Sequence, residues 1–255
     1  MTRTFPLCFL LCLVSFGCGS SYIGNNSGGS GGTTNYAGQA QGVYSGTASS
    51  GYSFSTIVLP NDKFYGIYGT TTGNTFYVYG MLAGQGTSGK DSFTANVTDY
   101  LSTGQTASDT LTATDVPGQS VNGTITENGT PVTFNGTALA SSSFNFNTAA
   151  SVGSIVGAWN GSLLDGITTA VTINSIGTVT GTSSGCSFTG TITADGSGKN
   201  FYDVSITFGS PPCALSDQTA TGVAIYYLLP DGVTHQLLAG VTLGNSGGTA
   251  FFAQR

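Results

Sequence analysis

The amino-acid sequence predicts an all-β protein made of two tandem antiparallel, up-and-down β-barrels of roughly eight strands each. Apolar and polar residues alternate with a period of two, as in Tyr202, Val204, Ile206 and Phe208. Turn signals such as Asn128-Gly129 separate these short runs. No stretch has a helical period, and closing a sheet into a barrel removes its exposed edges. A pair of β-sandwiches is the alternative.

An internal repeat at a constant offset of 115 residues indicates that the barrel unit occurs twice. The pattern Gly-x-aromatic-x-Gly occurs at 42–46 and again at 157–161, so that Tyr44 falls on Trp159. These two aromatic residues open their repeats, and we expect both to be core plugs. The predicted barrel-like repeats span residues 42–147 and 152–255.

The first 17 residues have the layout of a secretory signal peptide. Arg3 provides the positive start, an apolar run extends from Phe5 to Phe16, and the small residue Gly17 precedes Cys18. A cysteine at this place resembles the lipobox of bacterial lipoproteins. The resemblance implies that Cys18 is diacylglyceryl-modified and N-acylated, and so anchors the protein in a membrane. An ordinary signal peptide with an incidental cysteine is the alternative.

Residues 18–41 contain the predicted lipidation site and a tether rich in glycine and serine. A Gly/Ser chain of this length spans about 25–29 Å, which lifts a folded body clear of the lipid headgroups. Gly19 stands where an Asp would retain a lipoprotein in the inner membrane. The lipoprotein resemblance therefore implies the outer membrane, with the periplasmic or the surface face left open.

The charge pattern argues against two classes of partner. The formal net charge is −6 at pH 7. After signal removal the basic residues are Lys63, Lys90, Lys199 and Arg255. So few cations cannot neutralise a phosphate backbone, which excludes nucleic-acid binding of the usual kind. They also cannot form a polybasic patch for a membrane surface.

The five cysteines predict one disulfide. Cys8 and Cys12 leave with the signal, Cys18 carries the lipid, and Cys186 and Cys213 remain as a pair in an exported protein. The bond closes a loop of about 27 residues, worth about 3.5 kcal/mol in the chain-entropy model. A metal site is the alternative. However, His235 is the sole histidine and no Cys-x-x-Cys spacing occurs, so we predict no metal and no cofactor.

Three segments of the second repeat resemble a known set of proteins. They are 181–193 (GTSSGCSFTGTIT), 201–208 (FYDVSITF) and 212–215 (PCAL). They resemble small proteobacterial lipoproteins, whose barrels look like the lobes of transferrin-binding-protein-type surface lipoproteins. The resemblance implies a β-barrel fold. In that family long loops and a handle domain recognise the ligand. This chain has room for neither, so the resemblance implies no ligand and no site residue.

No catalytic residue is predicted. Ser246 lies in a Gly-x-Ser-x-Gly pattern, but the tether repeats that pattern at 28–32, and His235 stands in the wrong order for a serine protease. Paired carboxylates would suit a glycosidase. Glu127, the only glutamate, precedes Asn128-Gly129, so we expect a solvated turn residue.

One group of aromatic residues is a candidate binding surface. Tyr65, Tyr77 and Tyr79 lie on adjacent predicted strands of the first repeat, where they would form an exposed strip for a glycan or protein ligand. The alternative is that these tyrosines complete the barrel interior or the interface between the repeats.

Together these features predict a lipid-anchored lipoprotein of the cell envelope with a non-catalytic binding or structural role. A surface adhesin or an accessory ligand-capture subunit is the alternative, and a hydrolase comes third. The expected partners are the membrane, through the lipid anchor, and a protein or glycan ligand.

Overall fold

The computed structural model describes residues 35–72 and 75–255. Cys18, the signal peptide and most of the tether lie outside these residues. The first eight strands are β1 (Gly42–Ala48), β2 (Ser53–Val58), β3 (Lys63–Thr72), β4 (Thr75–Gly89), β5 (Ser92–Leu101), β6 (Thr106–Val116), β7 (Ser120–Glu127) and β8 (Thr130–Ala138). The next eight are β9 (Gly157–Leu163), β10 (Thr168–Ile173), β11 (Thr178–Ser183), β12 (Cys186–Ala194), β13 (Tyr202–Phe208), β14 (Thr219–Leu228), β15 (His235–Thr242) and β16 (Gly248–Gln254).

Each set of eight strands closes into a barrel. Consecutive strands pair antiparallel, and the first strand of each set pairs with both the second and the last. Tyr44 of β1 lies opposite Ala138 of β8, and Ser162 of β9 lies opposite Phe252 of β16. The prediction of two up-and-down barrels is therefore confirmed. The sandwich alternative is wrong, because each sheet pairs with itself rather than facing a second sheet.

The two barrels repeat in detail at their first three strands. β9, β10 and β11 begin at 157, 168 and 178, each 115 residues after β1, β2 and β3 begin at 42, 53 and 63. Tyr44 donates its hydroxyl to the carbonyl of Ala40 at 3.0 Å, and Trp159 donates Nε1 to the carbonyl of Ile155 at 2.8 Å. Both aromatic side chains are fully buried. They are the predicted core plugs, held in the same way.

The barrels pack side by side through apolar outer faces. Strands β1–β4 of the first barrel and β14–β16 of the second share one buried cluster, which includes Ile57, Ile67, Met81, Val223, Ile225 and Leu238. Phe76 packs on Phe252 with ring centroids 5.6 Å apart. Burying these faces excludes water from one continuous contact, which stabilises the pair.

The predicted disulfide between Cys186 and Cys213 is present, with a sequence separation of 27. It ties the start of β12 to the loop that follows β13. Among the described residues no helix is long and apolar enough to cross a membrane.

Residues 36–41 close one end of the first barrel, although the sequence assigned them to the tether. The amide of Gly38 donates to Asp62 at 3.0 Å, and the amide of Ala40 donates to Ser88 at 3.3 Å. Ser88 in turn donates its hydroxyl to Asp62 at 2.6 Å. Because the buried carboxylate of Asp62 needs these donors, the segment is held in place and forms the closed end of the barrel.

Candidate functional site

The opposite end of the first barrel, which we call the mouth, contains a cavity of about 80 Å³. The loops β1–β2, β5–β6 and β7–β8 lie at this end. Six of the residues that line the cavity are Tyr52, Phe54, Tyr68, Leu111, Glu127 and Phe134. Period-two alternation places these side chains on the inner side of their strands. The space holds several water molecules, but it is smaller than the pockets that enclose drug-sized ligands.

A ladder of three tyrosines leads from the surface into the mouth. The ring centroids of Tyr79 and Tyr52 lie 5.4 Å apart, and those of Tyr52 and Tyr68 lie 5.5 Å apart. Tyr79 is 43% exposed. Gly80 makes the ladder possible, because a Cβ atom there would lie 2.2 Å from the Tyr68 ring. Aromatic rings at these separations attract one another and hold a fixed stack.

Three carboxyl groups lie near the ladder, on the inner sides of consecutive strands β5, β6 and β7, and of these Glu127 is in the cavity lining. Asp99 and Asp109 are each 5% exposed, whereas Glu127 is half-buried. Tyr68 donates its hydroxyl to Oδ2 of Asp99 at 2.8 Å. The other oxygen of Asp99 and both oxygens of Asp109 are buried without a hydrogen-bond partner. Such groups cost free energy, and they are rare in folded proteins.

Burial changes the protonation of these groups. It raises the pKa of Asp99 to about 6; the hydrogen bond from Tyr68 opposes this rise, and the nearby Asp109 and Glu127 add to it. Burial also raises the pKa of Asp109, and the backbone N–H of Asn128, which is nearby but does not meet hydrogen-bond geometry, opposes the rise. The pKa of Glu127 rises through burial and the charge of Asp109. Each carboxyl group is therefore easier to keep protonated than an exposed one.

The structure separates the three tyrosines of the predicted strip. Tyr77 and Tyr79 are exposed, by 52% and 43%, and lie on the β3–β4 hairpin at the mouth. Tyr65 is different, because it is half-buried against the cluster between the barrels. The prediction of an exposed strip is thus wrong for Tyr65, because the second barrel covers that part of β3.

Glu127 is also not the solvated turn residue that the sequence predicted. It lines the mouth cavity at the end of β7. The proposed serine and histidine of a hydrolase are not brought together. His235 begins β15 and stacks on Tyr226 at 5.0 Å, whereas Ser246 lies beyond the other end of that strand and donates to the carbonyl of Leu243.

Sequence reasoning missed Asp99 and Asp109, although a signal for Asp109 was present. In β6, Asp109 alternates in phase with Leu111 and Ala113, opposite a row of threonines and one serine. A carboxylate on the apolar side of an alternating strand must be buried when that side faces a core. The pattern therefore identified a buried acid, but not its neighbours on other strands.

Other concave regions lie outside the mouth cavity, among them one of about 600 Å³ whose lining includes Asn96, Asp109 and Asn245. The second barrel encloses an apolar cavity of about 70 Å³ lined by Val171, Phe188, Val204 and Leu237. A wider cleft of about 420 Å³ lies between loops of both barrels, and Asp165 is the one charged residue in its lining. Within residues 35–72 and 75–255, no group of three or more His, Cys, Asp or Glu side chains is placed to hold a metal ion.

No protein-family model matches the chain, and no curated protein sequence matches it. Two solved structures are similar to it. One is the isotype 1 transferrin binding protein B from serogroup B Neisseria meningitidis, with 9% identity and a TM-score of 0.25, covering 80% of this chain and 66% of that one. The other is a DUF3598-family protein of unknown function from Nostoc punctiforme, with 12% identity and a TM-score of 0.26. The match covers 85% of this chain and 96% of that one.

The first of these structures is a transferrin binding protein, the kind of protein to whose barrel lobes the sequence was compared above. This chain spans slightly less than two thirds of that structure. At TM-scores of this size neither likeness carries an argument about ligand or partner. The fold rests on the strand pairing of the barrels themselves.

Proposed function

We propose that this protein is a non-catalytic binding lipoprotein of the cell envelope, which holds a small ligand in the mouth of its first barrel. One observation supports this most strongly. The mouth combines a stack of tyrosines with buried carboxyl oxygens that have no partner. These oxygens oppose folding, and residues that oppose folding are typical of binding sites.

The shape of the first barrel supports a site at one end only. Residues 36–41 close the far end through Asp62 and Ser88. The mouth residues Tyr52 and Glu127 are partly exposed. A ligand therefore enters past Tyr79 and meets Tyr68 and Glu127 in the cavity lining. Asp99 and Asp109 lie behind this lining, Asp99 bonded to Tyr68 and Asp109 on the strand next to Glu127.

The placement of Ser246 and His235 favours binding over hydrolysis. A serine nucleophile needs a base within hydrogen-bonding reach. Here Ser246 bonds to a backbone carbonyl in its own turn, and His235 stacks on a tyrosine at the other end of β15. Neither residue lies at the mouth, so we assign no catalytic residue.

Cys18 supplies the membrane partner in this proposal. The lipobox-like cleavage site and the tether after it support a position of the barrels outside the cytoplasm, at the outer membrane. The test is metabolic labelling of the full chain with a palmitate analogue in bacterial cells, compared with Cys18→Ala. We expect label and membrane association in the wild type alone. An unlabelled wild-type protein that still retains residues 1–17 would contradict the anchor.

The binding site is tested by thermal-shift screening of the folded protein against small molecules. We expect stabilising compounds whose effect disappears in Tyr52→Ser, at the mouth, and remains in Tyr36→Ser, at the closed end. Mass spectrometry after incubation should recover each bound compound unchanged. Shifts that persist in Tyr52→Ser, or a converted compound, would argue against this function.

A further inference from the structure

We infer that the ligand of the mouth is an organic cation, a primary ammonium group carried on an aromatic body. This inference rests on the proposed function, since it specifies the chemistry of the same site. It follows from the hydrogen-bonding state of Asp99 and Asp109, the position of the tyrosine ladder and the size of the cavity.

The carboxyl groups specify the head of the ligand. Three oxygens, one on Asp99 and two on Asp109, are buried and lack a donor. A carboxylate accepts hydrogen bonds and a primary ammonium group donates three, so one such group can satisfy both side chains. A quaternary ammonium group has no N–H to donate, and an anion would add to the negative charge already present.

Strand pairing brings these acids within reach of one cation. Val97 of β5 lies opposite Asp109, so Asp99 is the diagonal neighbour of Asp109 on the inner side. Diagonal neighbours lie about 7–8 Å apart, with their Cβ atoms somewhat closer, a gap that one ammonium group between two carboxylates can bridge. Thr110 pairs with Thr126, which places Glu127 at the next position beside Asp109.

The tyrosine ladder specifies the body of the ligand. A cavity of about 80 Å³ takes a head group and little more, so the rest of the ligand must extend outward. The path outward runs along Tyr68, Tyr52 and Tyr79. Tyrosine faces attract both a cation and an aromatic ring, which favours an arylalkylamine over an aliphatic polyamine.

Calorimetry on the folded protein at pH 7.5 tests this inference with two probes of nearly equal shape. Phenethylamine carries the ammonium group, and 2-phenylethanol replaces it by a neutral hydroxyl. We expect saturable binding of the amine, at least about tenfold tighter than that of the alcohol, because hydrogen bonds between charged groups are stronger than those of a neutral hydroxyl. Equal affinity for both probes, or no binding of the amine, would overturn the inference.

A matched pair of variants tests the site. Asp109→Asn should weaken phenethylamine binding at least about tenfold, since it removes the unpaired charge. Asp115→Asn removes the same charge from the same side of the same strand, but at the closed end, and should change the affinity less than about twofold. Equal losses in both variants would overturn the placement of the cation at the mouth.

The same data separate failure of the inference from failure of the proposed function. If the alcohol binds as well as the amine and Tyr52→Ser abolishes both, the mouth is a binding site for a neutral ligand. If the amine binds equally to the wild type and to Tyr52→Ser, neither the proposed site nor the inferred ligand is correct.

Discussion

The two barrels share strand order and plug but differ in the polar groups they bury. At the offset of 115 residues, Phe54 and Tyr68 of the first barrel correspond to Thr169 and Ser183 of the second. Thr169 and Ser183 form a neutral, buried hydrogen bond of 2.8 Å. Tyr68 instead donates to Asp99, which has a second oxygen without a partner. In the second barrel these buried polar groups hydrogen-bond to each other, whereas the first barrel leaves buried acceptor oxygens that a ligand can pair with.

The ends of the barrels differ in a related way. In the second barrel the guanidinium of Arg255 lies 3.9 Å from the centre of the Trp159 ring and donates to the carbonyls of Ser154 and Val156. At its other end a disulfide holds the loop before β14. These features stabilise that barrel, and its outer face supports β3 and β4 of the first. Architecture alone therefore does not locate a site. Unpaired oxygens also occur on Gln41 and Asp115 at the closed end, so the mouth is distinguished by unpaired carboxyl groups together with the tyrosine ladder.

The largest loss of stability is expected when the aromatic plug of the second barrel is removed. Trp159→Ala removes a fully buried indole and its hydrogen bond, and should cost about 4 kcal/mol of unfolding free energy. Urea denaturation followed by circular dichroism measures it. A loss below about 1 kcal/mol would show that the side chain is not a core plug.

The second largest loss of stability is expected when the disulfide is removed. Replacing both Cys186 and Cys213 by serine should lower the unfolding free energy by about 3.5 kcal/mol, because the unfolded chain gains the freedom of an open loop. Urea titration measures this loss, and the wild-type protein reduced by dithiothreitol is the comparison. Amine binding at the mouth of the folded variant should be unchanged, since the bond belongs to the second barrel. A loss of binding in the folded variant would contradict the assignment of the binding site to the first barrel alone.

At the mouth we expect one substitution to stabilise the folded protein. The pKa of Asp99 is raised to about 6, so its ionisation costs stability as pH rises from about 4 to 6. Asp99→Asn keeps an acceptor for Tyr68 and should raise the unfolding free energy by about 2 kcal/mol at pH 7.5, but little at pH 4.

Urea titrations at both pH values measure this difference, and Asp165→Asn, in an exposed turn, is the control that should show none. The same variant, Asp99→Asn, should bind phenethylamine more weakly. Stabilisation together with weaker binding is the result that a merely structural carboxylate would not produce. An Asp99→Asn protein less stable than the wild type at pH 7.5 would contradict the unpaired state of this group.

The smallest effect concerns the shared plug interaction. Tyr44→Phe removes only the hydroxyl that donates to Ala40, and should cost about 1 kcal/mol. Urea denaturation compares it with Tyr36→Phe, whose hydroxyl is not part of the plug. Equal values for the two variants would show that the bond to Ala40 adds nothing.

Much of this architecture follows from local patterns. Alternation and turn residues predict the strands because the inner and outer faces of a strand repeat every two residues. Turn residues also follow local rules: Asp231 accepts from the amides of Val233 and Thr234, as an aspartate in a turn commonly does. The pairing of Cys186 with Cys213 followed from counting alone, since no other cysteine remains after the signal and the lipid site.

The mouth and the interface between the barrels were decided by tertiary structure. Alternation indicates that Asp109 points inward, but only closure of the barrel brings it beside Asp99 and Glu127. Likewise, Tyr65 looks like an exposed tyrosine until the second barrel covers it. The physical reason is the same in both cases. A strand's own residues determine which way a side chain faces, whereas its charge environment and exposure depend on groups that are distant in the chain.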